Sequence, residues 1–332
     1  MSKSNKPVEG SRGYWPRKRA KKIYPRLKHP KVLTDSKNVS IIEYAGYKAG
    51  MTQVSLIDQR KGSPTHNQLV VRPVTVLECP PLVVCGLKLY KQTPYGLEGR
   101  TIVWADKLDK NLSRKTELPK ETKSKEKLAA AEKNISNVSD VRLLVHTQPK
   151  EAGFGKKTPE IFEIALSGDF AAKWDFAKQK LGGSLKPEDI FKEGEYIDVL
   201  AITTGKGYQG PVKRFGIKVR SRKNKGKMRH VGSLGPYHPA RVLPGAVPEA
   251  GQLGFQSRTE YNKRILKIGS GSMTPKGGWL DYGQVDGHYM LVSGSVPGHK
   301  KRLIMLRKAI RFRDKEFPVK VESISLDSQQ GV

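Results

Sequence analysis

Between Val199 and Pro248 the chain has no aspartate or glutamate, while Lys206, Lys213, Arg214, Lys218, Arg220, Arg222, Lys223, Lys225, Lys227, Arg229 and Arg241 all carry positive charge. Like charges at that density repel one another, so the segment keeps one shape only where a polyanion neutralises it, or it stays extended in water. Its glycines and prolines exclude a single long basic helix of the kind that enters a DNA major groove. Gly205, Gly207, Gly210, Gly216, Gly226, Gly232 and Gly235 permit tight turns and close approach of backbone to phosphate. Tyr208, Phe215, Tyr237 and Phe255 offer flat faces to unpaired bases. Folded RNA is an irregular anionic surface of the kind such a segment fits.

The whole molecule shares this bias. Its 332 residues carry a formal net charge of +31 with 36% hydrophobic content, enough for a real core in two modest domains or in one domain with large insertions. No amphipathic basic helix with a bulky apolar face points to a membrane surface. Cys79 and Cys85 lie in the apolar run LECPPLVVCGL and read as buried strand thiols; with no Cys-x-x-Cys and no paired histidines, no metal is expected. The N-terminus has no apolar signal core and no run reaches the length of a membrane span, so a cytosolic protein is expected, with no membrane partner and no small-molecule substrate.

Residues 1–35 form a basic N-terminal extension, broken by Pro7, Pro16, Pro25 and Pro30 and too poor in apolar residues to fold alone. It reads as an arm ordered on RNA, with Tyr14, Trp15 and Tyr24 stacking while Arg12, Arg17, Lys18, Arg19, Lys21 and Lys22 meet phosphate. Residues 36–92 and 194–332 have the short Val, Ile, Tyr and Thr runs of a barrel or sandwich, with Gly46 and Gly50 at bulges or corners. Residues 93–193 differ and read as an inserted α+β domain. There 112–134 is a solvated helix, 141–149 and 160–166 are strands, and Asp169 caps a helix that buries Phe170, Trp174, Ala177 and Leu181. The basic stretch, taken as 205–266, is then a finger projecting from the β block, and a second basic loop falls at residues 297–302.

Gly205-Lys-Gly-Tyr-Gln-Gly210 matches G-x-G-x-x-G after a predicted strand. A dinucleotide turn must open a helix and be followed some twenty residues on by an acid for the ribose, and neither is legible here. No G-x-S-x-G, H-E-x-x-H or P-loop pattern occurs. His230 and His238 read as RNA-contacting or packing histidines rather than acid–base groups. The alternative kept open is an RNA-modifying enzyme that uses Gly205–Gly210 as its cofactor loop; the main reading has no catalytic residues and no cofactor.

Six blocks carry a resemblance to a known family: GSRGYWPRKRA, AGYKAGMTQV, IDVLAITTGKGYQGPVKRFGIK, KMRHVGSLGPYHPARV, AGQLGFQSRTEYNKRILKIG and SGSVPGHKKRLI. They resemble the ribosomal protein L3 family in its archaeal and eukaryotic form. That resemblance implies a mainly β fold, with a translation-factor-like β-barrel, an α+β insertion and long basic extensions. It also implies a structural role in the large ribosomal subunit, with 23S-type rRNA and neighbouring ribosomal proteins as partners, early assembly, and a finger running toward the peptidyl transferase centre. Carried onto this chain, rRNA contacts fall on the arm and finger cations named above, on His230, Tyr237 and His238, and on Arg258, Lys263, Arg264, His299, Lys300, Lys301 and Arg302. The finger tip comprises Val242, Leu243, Pro244, Gly245, Glu249 and Gly251. Many relatives carry a tryptophan just after the Ala-Arg-Val; this chain reads VLPGAVPEAG and has no aromatic there, which implies that backbone shape at Pro244 and Gly245 replaces stacking.

Overall fold

The computed structural model describes residues 15–27, 29–34, 38–60, 62–119, 121–134, 138–243, 245–311 and 319–327. Arg12, Tyr14 and Pro244 lie outside the described residues. In chain order the strands are β1 (Glu43–Ile57), β2 (Leu69–Glu78), β3 (Leu82–Thr93), β4 (Gly96–Trp104), β5 (Asp140–His146), β6 (Ile161–Ala165), β7 (Ser184–Leu185) and β8 (Tyr196–Ile202). They continue with β9 (Tyr208–Gln209), β10 (Gly251–Gln252), β11 (Ser257–Ser270), β12 (His288–Ser293), β13 (Leu303–Lys308) and β14 (Lys320–Ile324). The helices are α1 (Lys31–Thr34), α2 (Ser124–Lys133), α3 (Phe170–Lys180) and α4 (Pro211–Phe215). The fold is mainly β, as the Val- and Ile-rich runs imply.

Six strands pair in a closed circuit, β13-β8-β11-β12-β2-β1 and back to β13, with β14 added to the distal half of β1. A sheet closed on itself has no edge within the circuit and so forms a barrel. β1 makes the closure because it is long enough to serve two sets of partners. Its residues 43–47 pair with β13 and its residues 54–57 with β14, while most of its length pairs with β2. The register against β2 slips between Lys48 and Gly50, and there the Trp279 ring lies so close over Gly50 that a Cβ would overlap it. This is why Gly50 stands where the strand bends.

The second sheet runs β4-β3-β5-β6, with β7 added to β3, and starts at Leu82, upstream of the change in composition at Thr93. α3 packs on β5 and α2 on β4. The helix expected over 112–134 is shorter. A 3-10 turn at Lys110–Arg114 is capped by Asp109, whose carboxylate accepts from Asn111 N at 2.9 Å, and α2 begins only at Ser124. Pro119 lies between them; it lacks an N–H and disfavours helical geometry in the residue before it, so one continuous helix cannot form. Asp169 does precede α3, but its side chain makes no capping bond, and Phe170 and Leu181 are only half-buried where Trp174 and Ala177 are buried.

Several buried polar groups of this core are paired. The Glu78 carboxylate accepts from Gly153 N at 3.1 Å and from the Tyr282 hydroxyl, and the Tyr47 hydroxyl donates to Thr147 Oγ1 at 2.9 Å. Cys79 and Cys85 are buried free thiols. The chain divides into two compact units. One combines Met1–Ile23 with Ile202–Arg258; the other combines Tyr24–Ala201 with Thr259–Val332.

Candidate nucleic-acid interface

Sequence proximity does not explain how the first unit holds together, because its two segments are almost 200 residues apart. After β8 the acid-free stretch runs into β9, which pairs antiparallel with β10 through Gln209↔Gly251 and Tyr208↔Gln252. Pro211 starts α4, where its missing N–H costs nothing, and Gly216 ends it with φ 65°. One turn of helix is enough to aim Arg214 inward. Its guanidinium is buried and donates to Glu249 O at 2.7 Å, Gln252 O at 3.0 Å and Arg17 O at 3.3 Å. A buried cation needs such acceptors, and here backbone carbonyls supply them where carboxylates are missing.

The N-terminal arm docks on this frame. The Arg17 guanidinium lies 4.1 Å above the Phe215 ring centre, and Ala20 N donates to Phe255 O at 2.8 Å. The Trp15 ring lies against Gly245, where a Cβ would approach it to 3.3 Å. Burial first, then the like charges of Arg214 and Arg258, push the Arg17 guanidinium down from its ordinary value. Phe215 is therefore buried, not an open face for a base. Tyr24, expected to stack, belongs to the second unit; it is buried, its ring 6.1 Å from that of Phe162, and its hydroxyl donates to Ile161 O at 2.6 Å. Lys18, Arg19, Lys21 and Lys22 are exposed.

Beyond α4 the backbone is held by turns. Arg220 N donates to Met228 O at 3.0 Å and Arg220 Nη2 to Val231 O at 2.6 Å, closing a loop in which every residue from 221 to 230 is exposed. Arg222, Lys223, Lys225, Lys227, Arg229 and His230 thus face solvent together, and Lys206, Lys213, Lys218 and Arg241 are exposed as well. Tyr208 and Tyr237 are 78% and 87% exposed, so their faces are open to stacking. The His238 ring meets Tyr237 edge-on at 5.1 Å. At the expected tip Val242, Leu243 and Glu249 are exposed, while Gly245 and Gly251 are half-buried against Trp15 and Arg214.

The second unit adds two basic hollows. One, of about 590 Å³, is lined by Lys48, His299, Lys300 and Lys301 together with Asp281, which pairs with Lys300 Nζ at 3.4 Å; Arg302 is buried nearby in sequence, and burial lowers its pKa. The other, of about 180 Å³, brings Lys263 and Arg264 together with Arg60 and Arg72, which the sequence reading missed. Arg60 is fixed there by Asp58, whose carboxylate accepts from Arg60 Nε at 2.9 Å and Nη2 at 2.8 Å. No spacing in the sequence marks Arg60 and Arg72 as neighbours of Arg264.

The G-x-G-x-x-G segment runs into the two-residue β9 and the five-residue α4, not into a helix long enough to present a dinucleotide site. Among the described residues no cluster of three His, Cys, Asp or Glu side chains could hold a metal ion, and no helix is long and apolar enough to cross a membrane.

The model of the family "Ribosomal protein L3" matches residues 1–331. Large ribosomal subunit protein uL3 of Methanococcus maripaludis and that of Archaeoglobus fulgidus are each 45% identical to this chain over 335 residues, 99% of both chains. The uL3 protein of Methanosphaera stadtmanae is 43% identical over 341 residues, the full length of both. The resemblance therefore extends well beyond the six motif blocks to the whole polypeptide, and the chain belongs to the ribosomal protein L3 family.

Proposed function

We propose that this chain is a structural constituent of the large ribosomal subunit, working in the cytoplasm as part of the ribosome, and that it acts by charge neutralisation. Its partners are 23S-type rRNA and adjoining ribosomal proteins. The observation that carries this reading is the solvent-exposed loop 221–230, with five Lys or Arg side chains and a histidine on turn-held backbone. Such side chains displace counterions from phosphates and let rRNA helices approach each other, while Tyr208 and Tyr237 stack on unpaired bases. The barrel anchors the molecule, and residues 205–266 with the arm form the rRNA-contacting finger, its tip over 241–251. The insertion, residues 93–193, supports the barrel. No step of this function calls on a catalytic group or a cofactor, and the cofactor-loop alternative has no observation in its favour.

The test is assembly. Tagged full-length chain expressed in an archaeal host should sediment with large subunits and leave them only in high salt, and a variant with Arg222, Lys223, Lys225, Lys227 and Arg229 all changed to Ala should be under-represented in subunits. Equal incorporation of the two would remove the loop from the mechanism.

A further inference from the structure

Resting on the rRNA-binding reading above, we infer that a cavity between the arm and the start of β11 is a pocket for a single unpaired nucleobase, stacked on Trp15 and hydrogen-bonded by the Gln256 side-chain amide. The cavity has a volume of about 270 Å³, at the small end of ligand sites, and is lined by Trp15, Arg17, Lys18, Gln256, Ser257 and Arg258.

Three features make it a base site rather than one more basic surface. The Trp15 indole rests on Gly245 and is still 44% exposed, so one face is held by protein and part of the ring remains open. Gln256 is only 9% exposed; its Oε1 accepts from Arg258 Nη2 at 3.3 Å, which fixes the amide orientation. Its Nε2 is buried and has no acceptor among the described residues. A buried donor without a partner is costly, and a small shift of the amide toward the cavity would let a carbonyl or ring nitrogen on a base edge satisfy it. Arg17, Lys18 and Arg258 surround the cavity with charge suited to the flanking phosphates, while no carboxylate among the described residues lines it. An aromatic face, an unpaired donor in the lining residue Gln256 and cations at the rim are the parts from which single-stranded RNA sites are built.

Trp15 is also a reporter, because Trp174 and Trp279 are only 4% and 5% exposed and Trp104 is half-buried. Full-length protein is titrated at several salt concentrations with oligouridylate about ten nucleotides long and with an abasic ribose-phosphate oligomer of equal length. The uridylate should quench tryptophan fluorescence saturably and bind at least several-fold tighter than the abasic strand. Trp15→Ala should weaken uridylate binding by roughly 5- to 150-fold, Gln256→Leu should also weaken it, and both should leave the salt slope unchanged. Trp15→Phe, which keeps a ring in place, should retain most of the affinity. If both oligomers bind equally with a steep salt slope, the base pocket is overturned while rRNA binding stands; if neither binds, both fall. Wild-type affinity in Gln256→Leu and Trp15→Ala, or equal quenching by polyglutamate, also overturns the pocket, the latter in favour of an acidic protein segment.

Discussion

Arg17 and Arg214 donate to each other's backbone: Arg17 Nη1 reaches Arg214 O at 3.4 Å, and Arg214 Nη2 reaches Arg17 O at 3.3 Å. Two like charges are held side by side because each guanidinium finds carbonyl oxygen and both lie near the face of Phe215. Arm and finger are thereby one folded unit, not two independent tails.

Arg214→Met should undo that unit. It would strip charge-assisted bonds from the carbonyls of Glu249, Gln252 and Arg17, a cost of about 2–3 kcal/mol. Amide exchange over residues 249–256 should rise roughly 30- to 150-fold. Arg214→Lys should fare little better, because a single ammonium cannot bridge carbonyls spread that widely. Unchanged exchange would mean that the arm does not depend on Arg214.

Gly254→Ala tests the backbone at the same frame. Gly254 has φ +70°, and a Cβ there would overlap the Thr204 carbonyl oxygen, which as main chain cannot swing aside. The substitution should cost about 1–3 kcal/mol, visible as faster proteolysis between residues 202 and 258. Gly207→Ala, at φ +65° but with nothing within 4 Å of the added methyl, should cost less.

Asp58 makes part of the barrel's stability pH-dependent. Hydrogen bonds from the Arg60 side chain first, then from Thr65, Arg60 N and Ser63, hold its carboxyl well below the usual range, against the opposing effect of burial. A depressed carboxyl stabilises the fold above its unfolded pKa of about 3.9, and that contribution is lost as pH falls through the lower folded value. Asp58→Asn should therefore be less stable than wild type at pH 6 in urea unfolding, with the gap narrowing below pH about 4. A constant gap at all pH values would count against the charge as its origin.

For RNA, the exposed loop makes a prediction about slope as well as affinity. Each phosphate left without its cation lowers the dependence of log affinity on log salt by about 0.7–0.9. Changing Arg222, Lys223 and Lys225 to Ala should thus flatten the slope for an rRNA fragment by about 2 to 3 if all three meet phosphate. Arg214→Met should weaken binding through unfolding of the frame, without a matching drop in slope.

The thiols give a simple check on the core. Burial pushes Cys85 up to about 12 and Cys79 higher still, and the Cys85 thiol donates to Leu144 O at 3.3 Å. Neither should react with an aromatic disulfide reagent in native protein at pH 8, and both should react in denaturant. Fast native labelling of either would place it outside the packed interior.

Local signals were enough for much of this fold. Alternating β-branched runs marked β1, β2, β3, β8 and β13, and the disappearance of carboxylates after Asp198 marked the segment that exposes its cations. Contacts between distant residues were not legible. That Arg214 is buried follows from carbonyls at 249 and 252, and that Trp15 rests on Gly245 follows from arm docking, neither of which has a local pattern. The late start of the helix expected over 112–134 was readable at Pro119, whose missing N–H and effect on the residue before it outweigh the helix-favouring lysines and alanines around it. Gln256 acquires its interest only from the absence of an acceptor for Nε2 among the described residues, a property of packing.

The seam between β1 and β13 carries a consequence for biosynthesis. Glu43–Tyr47 are synthesised long before their partners Leu303–Arg307. Until residues 303–307 have been made, that margin of β1 has no partner from the barrel and presents open hydrogen-bonding groups to any neighbouring nascent chain. A polypeptide released short of residue 303 could not close its barrel at all, however complete its rRNA-facing loop.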